Sequence, residues 1–165
     1  MKKIFFVIML ASAFLASGQK KNDKINDVAA KADLVKALDQ FYLAYNNKDI
    51  KAFTAFLTED GLYCGTDPKE FWDKATYSKL MGETFADPSF IPNLKIDKRE
   101  IRFYNNGTTA IVVDQFFMDF STQIPLRQVL HFTKTDKKWL CSFSNTSFIP
   151  NNEDVDKILE AVKTK

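Results

Sequence analysis

The sequence has few of the residues and motifs that metal, phosphate and nucleophile sites require. It contains one histidine, His131, and two cysteines, Cys64 and Cys141. These three residues do not have the ligand spacing that a zinc site needs. A glycine-rich phosphate loop and a Gly-x-Ser-x-Gly nucleophile elbow are both missing. We therefore expect a domain that works without a metal ion or a cofactor.

An apolar run long enough to cross a bilayer is also missing. The run Ile4–Leu15 has about a dozen residues, whereas a spanning helix needs roughly 20. Two lysines precede this run and the small residues 16–18 follow it, which is the order of a secretory signal. We expect cleavage before Gln19, with 1–18 as the signal peptide. Residues 19–165 would then form an exported domain, periplasmic or secreted, with no attachment to the membrane.

An excess of charge of one sign is missing from that domain as well. The whole chain has 23 Lys and Arg against 21 Asp and Glu, and two of the lysines lie in the signal. The remainder has a formal net charge of zero, so it carries no basic excess to neutralise phosphates. Nucleic acid is therefore not an expected partner.

The two cysteines leave two alternatives open. An exported chain matures in an oxidising compartment, which favours a disulfide between Cys64 and Cys141. Both flanking segments are expected to be strands, and cysteine is also among the residues most often buried as a free thiol. Spacing alone does not decide between a disulfide and two buried thiols.

The first half of the chain has the pattern of helices. Apolar residues recur at three- and four-residue steps over Ile25–Tyr45, which predicts one long amphipathic helix. A short second helix is expected over Asp49–Leu57 and a short strand over Leu62–Cys64. Asp67 is the expected N-cap of a further helix that begins at Pro68 and runs to about residue 85.

The second half has the pattern of strands. Alternating and β-branched residues, with turn signals between them, predict four long strands joined as an antiparallel meander. One of these turns is the Asn106-Gly107 pair, which suits a tight hairpin. The expected strands are Ile96–Tyr104, Thr109–Phe120, Ile124–Thr135 and Trp139–Phe148. A helix is expected after Pro150. Helices followed by a meander indicate a single α+β domain.

With this order of elements, the sequence resembles the SnoaL-like domains of the nuclear transport factor 2-like superfamily. The resemblance rests on the helix pair up to Leu57, on the stretch Gly61–Trp72, on Arg127 in the third long strand, and on Trp139–Ser147 in the last. It covers nearly all of residues 19–165. It implies a cone-shaped, cystatin-like α+β roll, in which a strongly curved antiparallel sheet wraps around the long N-terminal helix and leaves a pocket at its open end.

The resemblance does not choose a function, because the superfamily includes isomerases, cyclases, dehydratases and modules that only bind or associate. Two departures narrow the choice. The strand Leu62–Cys64 lacks the carboxylate base of an isomerase, and Phe143 and Asn145 stand where SnoaL-like relatives often carry histidines. Neither an isomerase site nor a histidine site at these positions is expected.

Three residues are the candidates for chemistry. Asp114 lies between apolar residues of a strand, where desolvation would raise the pKa of an acid towards that of a general base. Arg127 and His131 lie four residues apart on the next strand and so share a face. They would bind an oxygen atom and exchange a proton if that face lined a cavity. The alternatives are a structural aspartate, paired with Arg127 or another cation, and a structural histidine.

The expected pocket lining comprises Tyr42, Tyr45, Trp72 and Asn145, which would combine aromatic surface with a few polar groups. The leading hypothesis for function is non-covalent binding of a small apolar or amphipathic molecule. One alternative is a cofactor-free lyase, isomerase or cyclase that uses a pocket acid or histidine. Another is a homodimerisation module that associates through the outer face of its sheet.

Overall fold

The computed structural model describes residues 28–163, which form one sheet packed against helices. The signal peptide expected at residues 1–18 lies outside the described residues. Helix α1 covers residues 28–46. Its buried side chains recur at three- and four-residue steps, as the periodicity predicts: Leu34, Leu38, Phe41 and Tyr42. The helix therefore presents a continuous apolar stripe to the sheet.

Two shorter helices follow along the chain, and both begin at an aspartate. Helix α2 (Ile50–Thr54) starts after Asp49, whose side chain accepts the amide hydrogen of Ala52. Helix α3 (Lys74–Ala86) starts after Asp73, which accepts from Thr76. Each carboxylate satisfies an amide that the helix itself leaves without a partner.

The expected N-cap at Asp67 is wrong. Asp67 and Pro68 lie in a loop, and the next two residues after that loop form the short strand β2 (Phe71–Trp72). Strand β2 pairs with β1 (Leu57–Cys64), so the backbone at Phe71 and Trp72 is extended and follows a turn at Pro68 and Lys69. The helix can begin only where this pairing ends, and there Asp73 caps it.

The four long strands of the meander are confirmed. They are β3 (Lys95–Tyr104), β4 (Thr109–Met118), β5 (Ser121–Thr135) and β6 (Lys138–Phe148), each antiparallel to the next. Strand β1 adds to the free edge of β6 in parallel, which gives a six-stranded order of β2-β1-β6-β5-β4-β3. The chain ends in helix α4 (Val155–Lys163).

Residues at alternate positions of the meander face α1 and form the core. On β4 these are the even-numbered residues from Ala110 to Phe116, all of them buried, whereas the odd-numbered residues 111–117 are partly or fully exposed. We call the face that packs against α1 the inner face and the other the outer face. The α+β roll around a long helix is confirmed, with the sheet curved around α1.

Candidate functional site

A cavity lies between α1, α3 and the inner face of the sheet. Its volume is about 230 Å³. Most of its wall consists of aromatic and apolar side chains. The lining residues are Phe41, Tyr42, Tyr45, Phe53, Gly65, Thr66, Glu70, Tyr77, Met81, Phe90, Leu94, Phe116, Met118, Phe120, Leu126, Gln128 and Thr146.

A row of polar side chains crosses four strands at the inner end of this cavity. Arg99, Asp114, Gln128 and Thr146 are direct neighbours across β3, β4, β5 and β6. Residues directly opposite each other in an antiparallel sheet project from the same face. The next row towards the core contains Val112 and Leu130, which are fully buried. The polar row therefore separates the packed core from the cavity.

Asp114 is the centre of this row. The Arg99 guanidinium donates to both of its oxygens, Nε to Oδ1 at 2.7 Å and Nη2 to Oδ2 at 3.0 Å. The Tyr42 hydroxyl donates to Oδ2 at 2.6 Å. The side chain of Asp114 has no exposed surface. A carboxylate held in this way is a buried structural ion pair, and it is not accessible as a base for a molecule in the cavity.

Tyr42 connects this ion pair to the cavity. Its hydroxyl lies 3.2 Å from Oε1 of Gln128, whose amide in turn donates to Oγ1 of Thr146 at 3.2 Å. Burial, and then the nearby Asp114 carboxylate, raise the pKa of Tyr42 well above its usual value. Tyr42 therefore remains a neutral phenol, and Gln128 and Thr146 present uncharged polar groups to the cavity.

Aromatic side chains hold the opposite wall in place. Tyr45 makes edge contacts with Phe85 and Phe90, at centroid distances of 5.6 and 6.0 Å. Tyr77 stacks on both Tyr63 and Trp72, which are partners across β1 and β2, at centroid distances of 4.9 and 5.8 Å. Burial raises the pKa of Tyr45 to about 12. These rings are packed on their neighbours and form a rigid wall.

The loop of residues 65–70 carries a carboxylate into this wall. The Gly65 amide donates to the Glu70 carbonyl oxygen at 3.2 Å, and the Asp67 amide donates to Oε2 of Glu70 at 2.9 Å. A Cβ atom at Gly65 would overlap the Glu70 carboxylate and lie 3.0 Å from the Trp72 ring. The absence of a side chain at Gly65 is therefore what allows Glu70 to fold over the loop.

The proposed convergence of Asp114, Arg127 and His131 is wrong. Arg127 faces Gln115, and His131 faces Ile111, so both lie on the outer face of the sheet. The Arg127 side chain is exposed, and Nδ1 of His131 lies 2.7 Å from Oγ of Ser142. Asp114 faces the opposite side and takes Arg99, not Arg127, as its cation. No single cavity can therefore use all three residues.

Of the four residues expected to line the pocket, the structure places two in the cavity. Tyr42 and Tyr45 are part of its wall. Asn145 pairs with Val129 and projects from the outer face, where its amide donates to Ser147. Trp72 stands behind the wall, stacked on Tyr77. The interpretation of Asn145 and Trp72 as lining residues is wrong.

The disulfide alternative for Cys64 and Cys141 is also wrong, because both are free, buried thiols. They lie on neighbouring strands, but Cys64 faces Asn145 whereas Cys141 faces Leu57. The four-residue offset along β6 corresponds to about 13 Å, and a disulfide needs Cα atoms within about 7 Å. Burial raises the pKa of both thiols, that of Cys141 to about 12.

The acids of the first strand also differ from expectation. Strand β1 starts at Leu57 and therefore includes Glu59 and Asp60, which the shorter expected strand left out. Both side chains are exposed, and Glu59 forms an ion pair with Lys74 at 2.6 Å. Neither residue lines the cavity.

The site contains no arrangement of side chains for metal binding within residues 28–163, where no three histidine, cysteine or acidic residues come together. In the same part of the chain, no helix is both long and apolar enough to cross a membrane.

The sequence pattern of the SnoaL-like domain family matches residues 34–151, which include every residue that lines the cavity. The chain belongs to this family. SnoaL-like domains are ligand-binding or isomerase-type proteins of the nuclear transport factor 2-like class. No functionally curated protein matches the chain.

Solved structures share the fold of this SnoaL-like domain at low sequence identity. A protein of unknown function of the DUF3225 family from Pectobacterium atrosepticum is 17% identical, with a TM-score of 0.65 over 76% of this chain and 94% of its own. An NTF2-like protein of unknown function from Pseudomonas putida is 11% identical, with a TM-score of 0.64 over 76% and 91%.

A third similar structure is a putative calcium/calmodulin dependent protein kinase II association domain from Xanthomonas campestris. It is 18% identical, with a TM-score of 0.56 over 71% of this chain and 86% of its own. At these identities the three likenesses show the fold of the SnoaL-like domain and nothing about its ligand.

Sequence reasoning missed Arg99, Gln128 and Glu70. Arg99 stands in a strand of alternating charges, where nothing distinguishes it from its neighbours. The position of Gln128 beside Asp114 can be inferred only when the register between β4 and β5 is known. For Glu70 a signal did exist. The stretch from Gly65 to Glu70 contains glycine, aspartate and proline, a composition typical of an ordered loop.

Proposed function

We propose that this SnoaL-like domain binds a small apolar or amphipathic molecule non-covalently in the cavity between α1, α3 and the sheet. The observation that carries the proposal is the composition of its wall. Aromatic and aliphatic side chains form most of it, and Gln128 and Thr146 contribute polar groups at one end. Such a wall is typical of ligand pockets, which combine apolar surface with a few polar groups that fix orientation.

The size and rigidity of the cavity support a small ligand. A volume of about 230 Å³ is below the usual range of ligand pockets, which starts at roughly 300 Å³, so the cavity suits only a small ligand. The wall is already packed, because Tyr45 and Tyr77 are each held by three other rings. A preformed wall lowers the ordering cost of binding. The driving force would be burial of apolar ligand surface, at about 25 cal/mol per Å².

Binding requires no reactive group, and this distinguishes the proposal from the enzyme alternative. The acid that was the candidate base, Asp114, is occupied by Arg99 and Tyr42. The lone histidine, His131, lies on the outer face. A proton-transfer reaction that uses these two residues therefore has no support in the geometry.

The sequence also supports statements about export and about homodimerisation. We propose export, supported by the signal pattern of residues 1–18, and the intact mass of the protein from its own host would test it. A measured mass equal to that of residues 19–165 would support cleavage before Gln19. The mass of a chain that still includes Met1 would contradict it. Homodimerisation also stays a prediction, for which the outer face offers partly exposed apolar residues such as Leu62 and Phe117, each 42% exposed.

The binding proposal is tested by closing the mouth of the cavity. Thr66 is exposed and lies in the cavity wall, whereas Lys69 is exposed in the same loop but outside it. Thr66→Trp should reduce the affinity for 1-naphthalenemethanol, a neutral probe, at least tenfold in isothermal titration calorimetry. Lys69→Trp adds the same ring to the same loop and should leave the affinity unchanged. Equal affinities in the two variants would place the probe elsewhere.

A further inference from the structure

We propose that the cavity selects a cationic amphiphile, a molecule with an apolar body and a protonated amine or quaternary ammonium group. This inference rests on the proposed function and adds the charge of the ligand. Among the described residues that line the cavity, Glu70 is the one with a formal charge. The other polar lining groups are phenols, hydroxyls and one amide, which are neutral.

The Glu70 carboxylate is held in position from one side only. Its Oε2 accepts the Asp67 amide, and the carboxylate packs over Gly65, which itself lines the cavity. Among residues 28–163, Oε1 of Glu70 has no donor, and none of the ion pairs includes Glu70. One carboxylate oxygen is therefore left for a donor on the ligand, and a charge-assisted hydrogen bond is among the stronger kinds.

Two cations that contact rings of the cavity wall, Arg99 at Tyr42 and Lys48 at Phe90, are already engaged. Arg99 lies behind the wall, where it is paired with Asp114 and lies 3.9 Å from Asp39. Lys48 donates to the carbonyl oxygen of Asp87 at 2.9 Å, and its Nζ lies 5.6 Å from the Phe90 ring. Neither cation lines the cavity. An anionic ligand would therefore meet one carboxylate and no cation in the wall.

The aromatic wall also favours a cation. The faces of aromatic rings are negative, and a cation within about 6 Å of a ring centroid is attracted to it. Lys48 above Phe90 shows this interaction in the molecule itself. The combination of several rings with a single carboxylate is suited to an ammonium group attached to an apolar body.

Three probes with one ring system and different charges test the inference: 1-naphthylmethylammonium, 1-naphthalenemethanol and 1-naphthoate. We expect the ammonium to bind about tenfold more tightly than the neutral alcohol, and the carboxylate to bind more weakly than the alcohol. Binding of the alcohol without a preference for the ammonium would overturn the inference and leave the proposed function intact. Failure of all three probes to bind would overturn both.

Three variants show whether Glu70 causes the preference. Glu70→Gln keeps the size and the acceptor for the Asp67 amide, and should bring the affinities for ammonium and alcohol within about twofold of each other. Gly65→Ala keeps the charge but displaces the carboxylate, and should reduce the ratio of the affinity for the ammonium to the affinity for the alcohol. Glu100→Gln removes an exposed carboxylate on the outer face and should leave the ratio unchanged. A ratio that responds equally to Glu70→Gln and Glu100→Gln would show that only the net charge matters, and would overturn the assignment.

Discussion

Replacing Asp114 with asparagine tests the structural centre of the site. The amide has nearly the size of the carboxylate but no charge, so Arg99 loses the partner that it contacts through two hydrogen bonds. Tyr42 can still donate to the remaining oxygen. The substitution therefore isolates the buried ion pair without creating a cavity.

The magnitude follows from the burial of the two partners. Removal of one member of a buried pair costs about 3–5 kcal/mol, because the other charge is left uncompensated. Asp114 has no exposed surface, but the Arg99 side chain is 19% exposed, and Asp39 lies 3.9 Å from it. These two features reduce the penalty, so we expect the lower end, about 3 kcal/mol. The melting temperature of a domain of this size would fall by roughly 10 °C.

Urea unfolding, followed by the fluorescence of the buried Trp139, measures the change in the free energy of unfolding. The matched control is Glu100→Gln, which removes the carboxylate from an ion pair with Arg102 in which the side chains are 72% and 70% exposed. Exposed pairs contribute about 0–1 kcal/mol, so the control should change stability little.

A loss below about 1 kcal/mol for Asp114→Asn, no larger than that of the control, would refute the reasoning. In a double variant, Arg99→Met with Asp114→Leu, both charges are absent. This protein should be more stable than Asp114→Asn alone, because no unpaired charge is buried. A double variant that is less stable than Asp114→Asn would show that the unpaired charge of Arg99 is not the main cost of losing Asp114.

Three further predictions concern pH, thiols and packing. Burial raises the pKa of Tyr45 to about 12, above its unfolded value of about 10. The contribution of the neutral Tyr45 side chain to the free energy of unfolding is therefore complete below pH 10 and is lost as the pH rises from 10 to 12. In denaturation curves measured across that range, Tyr45→Phe should lose less stability than the wild type. Cys64 and Cys141 should not react with Ellman's reagent in the native protein, and both should react after unfolding without reductant. If no thiol reacts after unfolding, the two cysteines form a disulfide. Leu38→Ala removes a fully buried side chain, and should lower the free energy of unfolding by about 2–5 kcal/mol in urea titrations.

The elements that the sequence predicts well are those with local signals. The meander follows from alternation within strands and from turn residues between them. The turn at Asn106-Gly107 lies where it is expected, but it is a four-residue loop between Tyr104 and Thr109, with a positive φ at Asn105 as well as at Asn106 and Gly107. The parallel pairing of β1 with β6 has no such signal, because it joins segments about 80 residues apart in the chain. Long-range pairing depends on the packing of the whole domain.

The wrong catalytic arrangement has a specific cause in the register of β4 and β5. At their turn Met118 faces Ser121, and extending that pairing would put Asp114 and Arg127 on one face. An irregularity after Phe116 shifts the register by an odd number of residues, so Asp114 faces Gln128 instead. Such a shift moves every following side chain to the other face. Sequence periodicity places the residues of one strand relative to each other, but not relative to the next strand.

The central claim is that a small molecule occupies the cavity, and methionine methyl NMR tests it most directly. Of the four methionines, only Met81 and Met118 belong to residues 28–163, and both line the cavity. With ¹³C-methyl methionine, titration with 1-naphthalenemethanol should shift both resonances together and saturably, and Thr66→Trp should abolish the shifts. Resonances that stay fixed while the probe binds, or that shift equally in Thr66→Trp, would contradict the claim.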